Sequence, residues 1–120
     1  ILEGQIHGGV AQGIGNAFYE ELVWDENGQL LNASFMDYLL PTADTMPIIE
    51  TDHVETPSPL NPLGIKGAGE AGAIPVGPLF AQALEDALSA FAVEITEIPL
   101  SPNKLFALIH GDEDATGTDA

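Results

Sequence analysis

Apolar residues recur near the start of the chain at Ile6, Val10, Ile14, Ala17 and Phe18. Steps of three and four residues place them on one face of a helix and predict α-helix over residues 4–21. Gly8, Gly9, Gly13 and Gly15 lie inside that stretch. Each costs about 1 kcal/mol against alanine in a helix interior. The pattern therefore predicts either very close approach of another backbone or a ligand, or a helix that starts only near Gly9 after an irregular turn. Residues 22–24 and 29–31 flank Asp25, Glu26, Asn27 and Gly28, and Asn-Gly between two short β-prone runs predicts a β-hairpin. Residues 48–55 read as a strand, and Pro57, Pro59 and Pro62 impose a stiff, extended run after it. A glycine-rich loop follows over residues 64–77, with Pro78 opening a helix whose stripe of Leu79, Ala83, Leu84, Ala87, Leu88 and Phe91 is wide enough to face a core. Residues 93–98 read as a strand, and Ser101 and Pro102 as the N-cap and first turn of a short helix through Ile109. The tail over 111–120 has no apolar residue larger than alanine and is expected to be disordered and acidic. The expected class is α+β, with two or three helices, a β-hairpin and mixed short strands in one unit over residues 1–110.

Composition narrows the partners. A chain of 120 residues with 45% apolar content has room for one domain with a core. Nineteen Asp and Glu stand against only Lys66 and Lys104, a formal net charge of −17. Such a surface repels phosphate backbones and anionic lipid, which argues against nucleic acid and membrane-surface partners. No apolar run approaches the roughly 20 residues that a bilayer span needs. Acidity also suits a high-salt or calcium-rich setting, but charge alone specifies no ligand, so a solvated surface is the favoured reading. The absence of cysteine excludes disulfides, thiolate metal sites and iron–sulfur ligation by this stretch, and fits a reducing, cytoplasmic setting. No initiator Met, basic segment or cleavage site stands before Ile1, so the chain reads as a piece of a longer one.

Candidate chemistry concentrates in GIKGAGE, residues 64–70, where Gly64, Gly67 and Gly69 surround Lys66 and the stretch ends in Glu70. Glycines at that density let a backbone pass close to a bulky polar ligand, and successive N–H groups can form an anion-binding nest to which Lys66 adds charge. The bare pattern is equally that of a surface turn. A carboxylate between Gly69 and the apolar run 71–76 is expected to be partly desolvated, which suits Glu70 to proton abstraction; the plainer alternative is a solvated loop glutamate. His7, His53 and His110 are dispersed, without zinc-site spacing, and read as structural or exposed, so no metal ligand is assigned. Asp112, Glu113 and Asp114 lack the glycine-containing loop of a calcium-binding EF-hand. Trp24, Phe35 and Tyr38 could line a substrate funnel, but as strand-edge aromatics they are more often core.

Several blocks occur in an order that carries more weight than any one glycine motif: EGQIHGGVAQGIGNAFYEE, ASFMDYLLPTA, TPSPLNPLGIKGAGEAG and, after a helix, EIPLSP. Over about residues 3–101 the chain resembles the molybdenum-binding large subunits of the xanthine oxidase family, the aerobic carbon monoxide dehydrogenase large-subunit type in particular. The resemblance implies the C-terminal segment of a molybdopterin-binding domain. It implies that Glu70 is the active-site base, that the backbone of Lys66, Gly67, Ala68 and Gly69 contacts the cofactor, and that Gln12 hydrogen-bonds the pterin. A side-chain amide offers both donor and acceptor to a pterin's mixed edge, and Gly13 beside it permits close approach; the alternative is that Gln12 bonds a nearby backbone group. The cofactor implied is molybdenum with molybdopterin cytosine dinucleotide. The partners implied are the remainder of the large subunit, an iron–sulfur small subunit and an FAD-binding medium subunit that carry electrons away, and a small carbon substrate oxidised with water-derived oxygen. Substrate identity stays open, and the stretch alone is expected to be inactive. Two other readings compete. One is a noncatalytic folding or oligomerisation module that self-associates through apolar faces, and the other an acidic domain that binds calcium or depends on salt.

Overall fold

The computed structural model describes residues 1–111, and its regular structure is helical: α1 (Leu2–Phe18), α2 (Val76–Ala87), a 3₁₀ turn (Ser89–Phe91) and α3 (Pro102–His110). The acidic tail past Gly111, with the cluster of Asp112, Glu113 and Asp114, lies outside the described residues.

α1 begins at Leu2 and runs through its glycines without a delayed start. The reason is contact on one side. A Cβ on Gly13 would stand 2.5 Å from Cβ of Val76, and one on Gly9 would stand 3.0 Å from the backbone N of Ala73 and Cα of Gly72. The approach is mutual, since a Cβ on Gly72 would lie 2.5 Å from the Ile6 carbonyl oxygen. α1 gives up intrinsic helix stability at these positions and gains a backbone-close seat for the residues that lead into α2. Ile14, Ala17, Val76 and Leu100 are the buried apolar residues around this seam. Phe18 and Phe80 pack edge to face with ring centroids 4.7 Å apart, and the Leu100 N–H donates to the Ala17 carbonyl at 2.6 Å.

α2 starts at Val76, so Pro78 occupies the third helical position and not the first. First-turn N–H groups have no partner inside a helix, so proline is tolerated throughout that turn. α3 begins as its sequence implies: the Ser101 hydroxyl accepts from the Lys104 N–H at 3.3 Å and Pro102 follows.

No strand forms among the described residues, which corrects the expectation of a β-hairpin and mixed short strands. Residues 22–31 turn back at Gly28, φ +79°, but Trp24 and Leu30 make only one isolated antiparallel bridge. The ladder stops because the Asn32 side chain takes the next partners, accepting from the Val23 N–H at 3.0 Å and donating to the Glu21 carbonyl at 2.5 Å. Residues 48–55 and 93–98 form no strand, and residues 97–98 bend; the Ile95 N–H bonds the Glu85 carboxylate of α2 instead. A strand exists only where a neighbour accepts its backbone groups, and this chain supplies none here.

Candidate functional site

The glycine-rich loop is built from its entry. The Asn61 side chain brackets Ile65, accepting its N–H at 2.8 Å and donating to its carbonyl at 3.0 Å. The Ser58 N–H donates to the Gly64 carbonyl at 3.0 Å, and Gly64 sits at φ +67° against Pro57, in a backbone region that glycine alone enters at little cost. This bend brings Lys66 back over residue 56, where its ammonium donates to the Thr56 hydroxyl at 2.5 Å. Lys104 is held by Glu21 at 3.2 Å and Glu97 at 3.6 Å, so Lys66 is the lysine without an ion pair among the described residues.

Past Lys66 the loop is open. A Cβ on Gly67 or Gly69 would meet nothing within 4 Å, and no N–H of residues 66–69 donates to a partner among the described residues. Lys66, Gly67 and Ala68 line a groove of about 670 Å³ together with residues 52–57 and with Leu2 and Ile6 of α1. The Gly69 carbonyl is tied to that helix, accepting from the Gln5 side-chain amide at 2.6 Å. Gln5 escaped the sequence reading, although it lies one helical turn before Gly9 and so shares the face that receives the loop.

The structure thus gathers Lys66, Gly67, Ala68 and Gly69 beside α1 and leaves two expected site residues outside the groove. Gln12 is exposed on α1 and makes no side-chain hydrogen bond among the described residues, so the nearby-backbone alternative is not what forms. The Glu70 side chain is exposed as well, so the desolvation expected of it is not supplied by this stretch. Its main chain is firmly held: the Glu70 carbonyl accepts from the N–H groups of Ala73 at 3.0 Å and Ile74 at 3.2 Å.

The remaining candidates separate clearly. His53 and His110 are exposed, while His7 is half-buried with Nε2 enclosed and unpartnered, and no group of three potential metal ligands occurs among the described residues. Trp24 and Phe35 are exposed at 56% and 82%, which overturns the expectation that they are core. Tyr38 is half-buried and donates to the Glu20 carboxylate at 2.6 Å, a bond that raises its hydroxyl above the ordinary tyrosine value. No helix among the described residues is long and apolar enough to cross a membrane.

An open, side-chain-poor turn with free amide donors, bent over a groove and seated on a glycine-studded helix, has the character of a cofactor cradle. Residues 1–47 match the molybdopterin cofactor-binding domain. Over 117 residues the chain is 44% identical to the nicotine 6-hydroxylase large subunit of Paenarthrobacter nicotinovorans, a match that covers 98% of this chain and 14% of that protein. Over 87 residues it is 47% identical to the carbon monoxide dehydrogenase large chain of Afipia carboxidovorans, covering 72% of this chain and 11% of that one. Its fold is similar to quinoline 2-oxidoreductase from Pseudomonas putida 86, with a TM-score of 0.86 and 45% identity across 91% of this chain and 14% of the other. The chain belongs to the family of molybdenum hydroxylase large subunits, and it spans no more than 14% of the length of these relatives.

Proposed function

We propose that this stretch supplies the general base and one wall of the cofactor pocket in a molybdenum-dependent oxidoreductase that hydroxylates a small carbon substrate with oxygen derived from water. The observation that carries the reading is the row of unpartnered N–H groups at residues 66–69, which leads directly into Glu70. That donor set fits a molybdopterin dinucleotide. Backbone amides suit its anionic oxygens, Gly67 and Gly69 leave room for a bulky ring, and Lys66 beside Thr56 adds a positive charge. When bound, the group supplies the two-electron redox chemistry. Gln12 offers donor and acceptor to its pterin edge, in the cytosine dinucleotide form. Glu70 accepts the proton from the water-derived hydroxyl that becomes bonded to the substrate carbon.

The remainder of the large subunit covers this face in the reading proposed. Ile48, Val54, Leu60 and Leu63 are 96%, 88%, 92% and 81% exposed, and burying each such side chain contributes about 1.5–3 kcal/mol. Burial of Glu70 by the remainder of the subunit would desolvate it as well. An iron–sulfur subunit and an FAD subunit would carry the electrons onward, in the cytoplasm. The test is Glu70→Gln in the full-length protein assembled with its partners. A base of this kind contributes about 10²–10⁴-fold, so turnover should fall by that factor with molybdenum content unchanged. Retained turnover at full occupancy removes the assignment.

The exposed apolar residues also favour a second reading, a noncatalytic module that self-associates through them. A native assembly that never acquires molybdenum and a chain whose apolar face pairs with its own copy would support it.

A further inference from the structure

Two peptide planes meet at the Cα of Glu70, and each is held by a hydrogen bond of its own. The plane joining residues 69 and 70 is held at the Gly69 carbonyl, which accepts from Gln5 Nε2 at 2.6 Å. The plane joining residues 70 and 71 is held at the Glu70 carbonyl by the N–H groups of Ala73 and Ile74. Because the peptide unit is planar, orienting both planes sets φ and ψ of Glu70 and therefore the direction of its Cα–Cβ bond. Two residues later, Gly72 lies against the Ile6 carbonyl so closely that a Cβ there would stand 2.5 Å away. The backbone before and after Glu70 is thereby fastened to one helix, at Gln5 and at Ile6.

We infer that Gln5 is a positioning residue for Glu70. It fixes the peptide from which the carboxylate projects, while the carboxylate itself remains free of any partner in this stretch. The inference rests on Glu70 being the base. A carboxylate that must meet a proton in one geometry loses rate when its stem can swing, and a misplacement of about 1 Å can cost 10²-fold. Among the described residues the bond from Gln5 is the one side-chain bond to the main chain of residues 66–70.

The experiment compares Gln5→Met, Gln5→Lys and Glu70→Gln in the full-length large subunit assembled with its partner chains. Methionine keeps the length and removes the donor, whereas lysine restores a donor able to reach a carbonyl. Kinetics, molybdenum content and hydrogen exchange of the segment 66–76 are measured together. Gln5→Met should lower kcat about 10- to 100-fold with KM within twofold and molybdenum retained. Its amides at Ala73 and Ile74 should exchange faster, and Gln5→Lys should return both kcat and exchange to near the parent values. A Gln5→Met protein with parental kcat and exchange overturns the inference, as does a Gln5→Lys protein as impaired as Gln5→Met. In either case an inactive Glu70→Gln leaves the base standing. Should Gln5→Met lose its metal, Gln5→Lys decides alone: parental kcat supports the role, and a tenfold loss overturns it. An active, fully loaded Glu70→Gln removes the base and this inference with it.

Discussion

Gly8 and Gly13 are the same residue type on the same helix, yet alanine should act on them with opposite sign. Inside a helix, Gly→Ala stabilises by about 1 kcal/mol. A Cβ on Gly8 meets nothing within 4 Å, so Gly8→Ala should show that gain in full. A Cβ on Gly13 would stand 2.5 Å from Cβ and 2.6 Å from Cγ2 of Val76. Carbon atoms pack at about 3.5–4.0 Å, so roughly 1 Å must open. Cβ of Val76 cannot rotate away, because it is bonded directly to the backbone of the first residue of α2. Relief requires α2 to shift, and overpacking of this kind costs about 1–3 kcal/mol. Subtracting the propensity gain leaves Gly13→Ala about 0–2 kcal/mol destabilised and about 1–3 kcal/mol below Gly8→Ala. The assay is urea unfolding of the 120-residue chain followed by far-ultraviolet circular dichroism. With a slope of about 1–3 kcal/mol per molar, the two midpoints should separate by about 0.3 M or more. Midpoints that move together, in either direction, would show that α1 does not seat on Val76.

Acid should release the turn beside the single tryptophan: Asp25 Oδ1 accepts the Gln29 N–H at 2.8 Å and the Asn27 N–H at 2.9 Å, and the Gln29 bond first of all holds its carboxyl below the ordinary value. A folded value below the unfolded one gives stability that is present above the ordinary carboxylate range and lost as pH falls through the lowered value, so Trp24 emission should change there and Asp25→Asn should abolish that step. Ser101→Ala removes the N-cap of α3 and should cost about 1 kcal/mol, while Ser101→Asp should retain most of the stability, both read from denaturation midpoints.

Helix was legible from local pattern. An α-helix bonds each residue to another four away, so the periodicity within residues 4–21, helical as far as Phe18, and the Ser101–Pro102 signal carried their own partners. Strands do not: residues 48–55 and 93–98 have the composition, but their partners must come from elsewhere, and the turn at 25–28 was curtailed by Asn32, a side chain whose reach no local rule registers. The glycine-rich block of residues 64–70 could be read from sequence. Which glycines are crowded (Gly9, Gly13, Gly72) and which are open (Gly8, Gly67, Gly69) could not. Nor could the bond from Gln5 to a residue 64 positions away, or the exposure of Glu70. Bonds between near neighbours follow from residue order alone, whereas contacts across the chain depend on how the helices pack, and it is packing that decides where the candidate base stands.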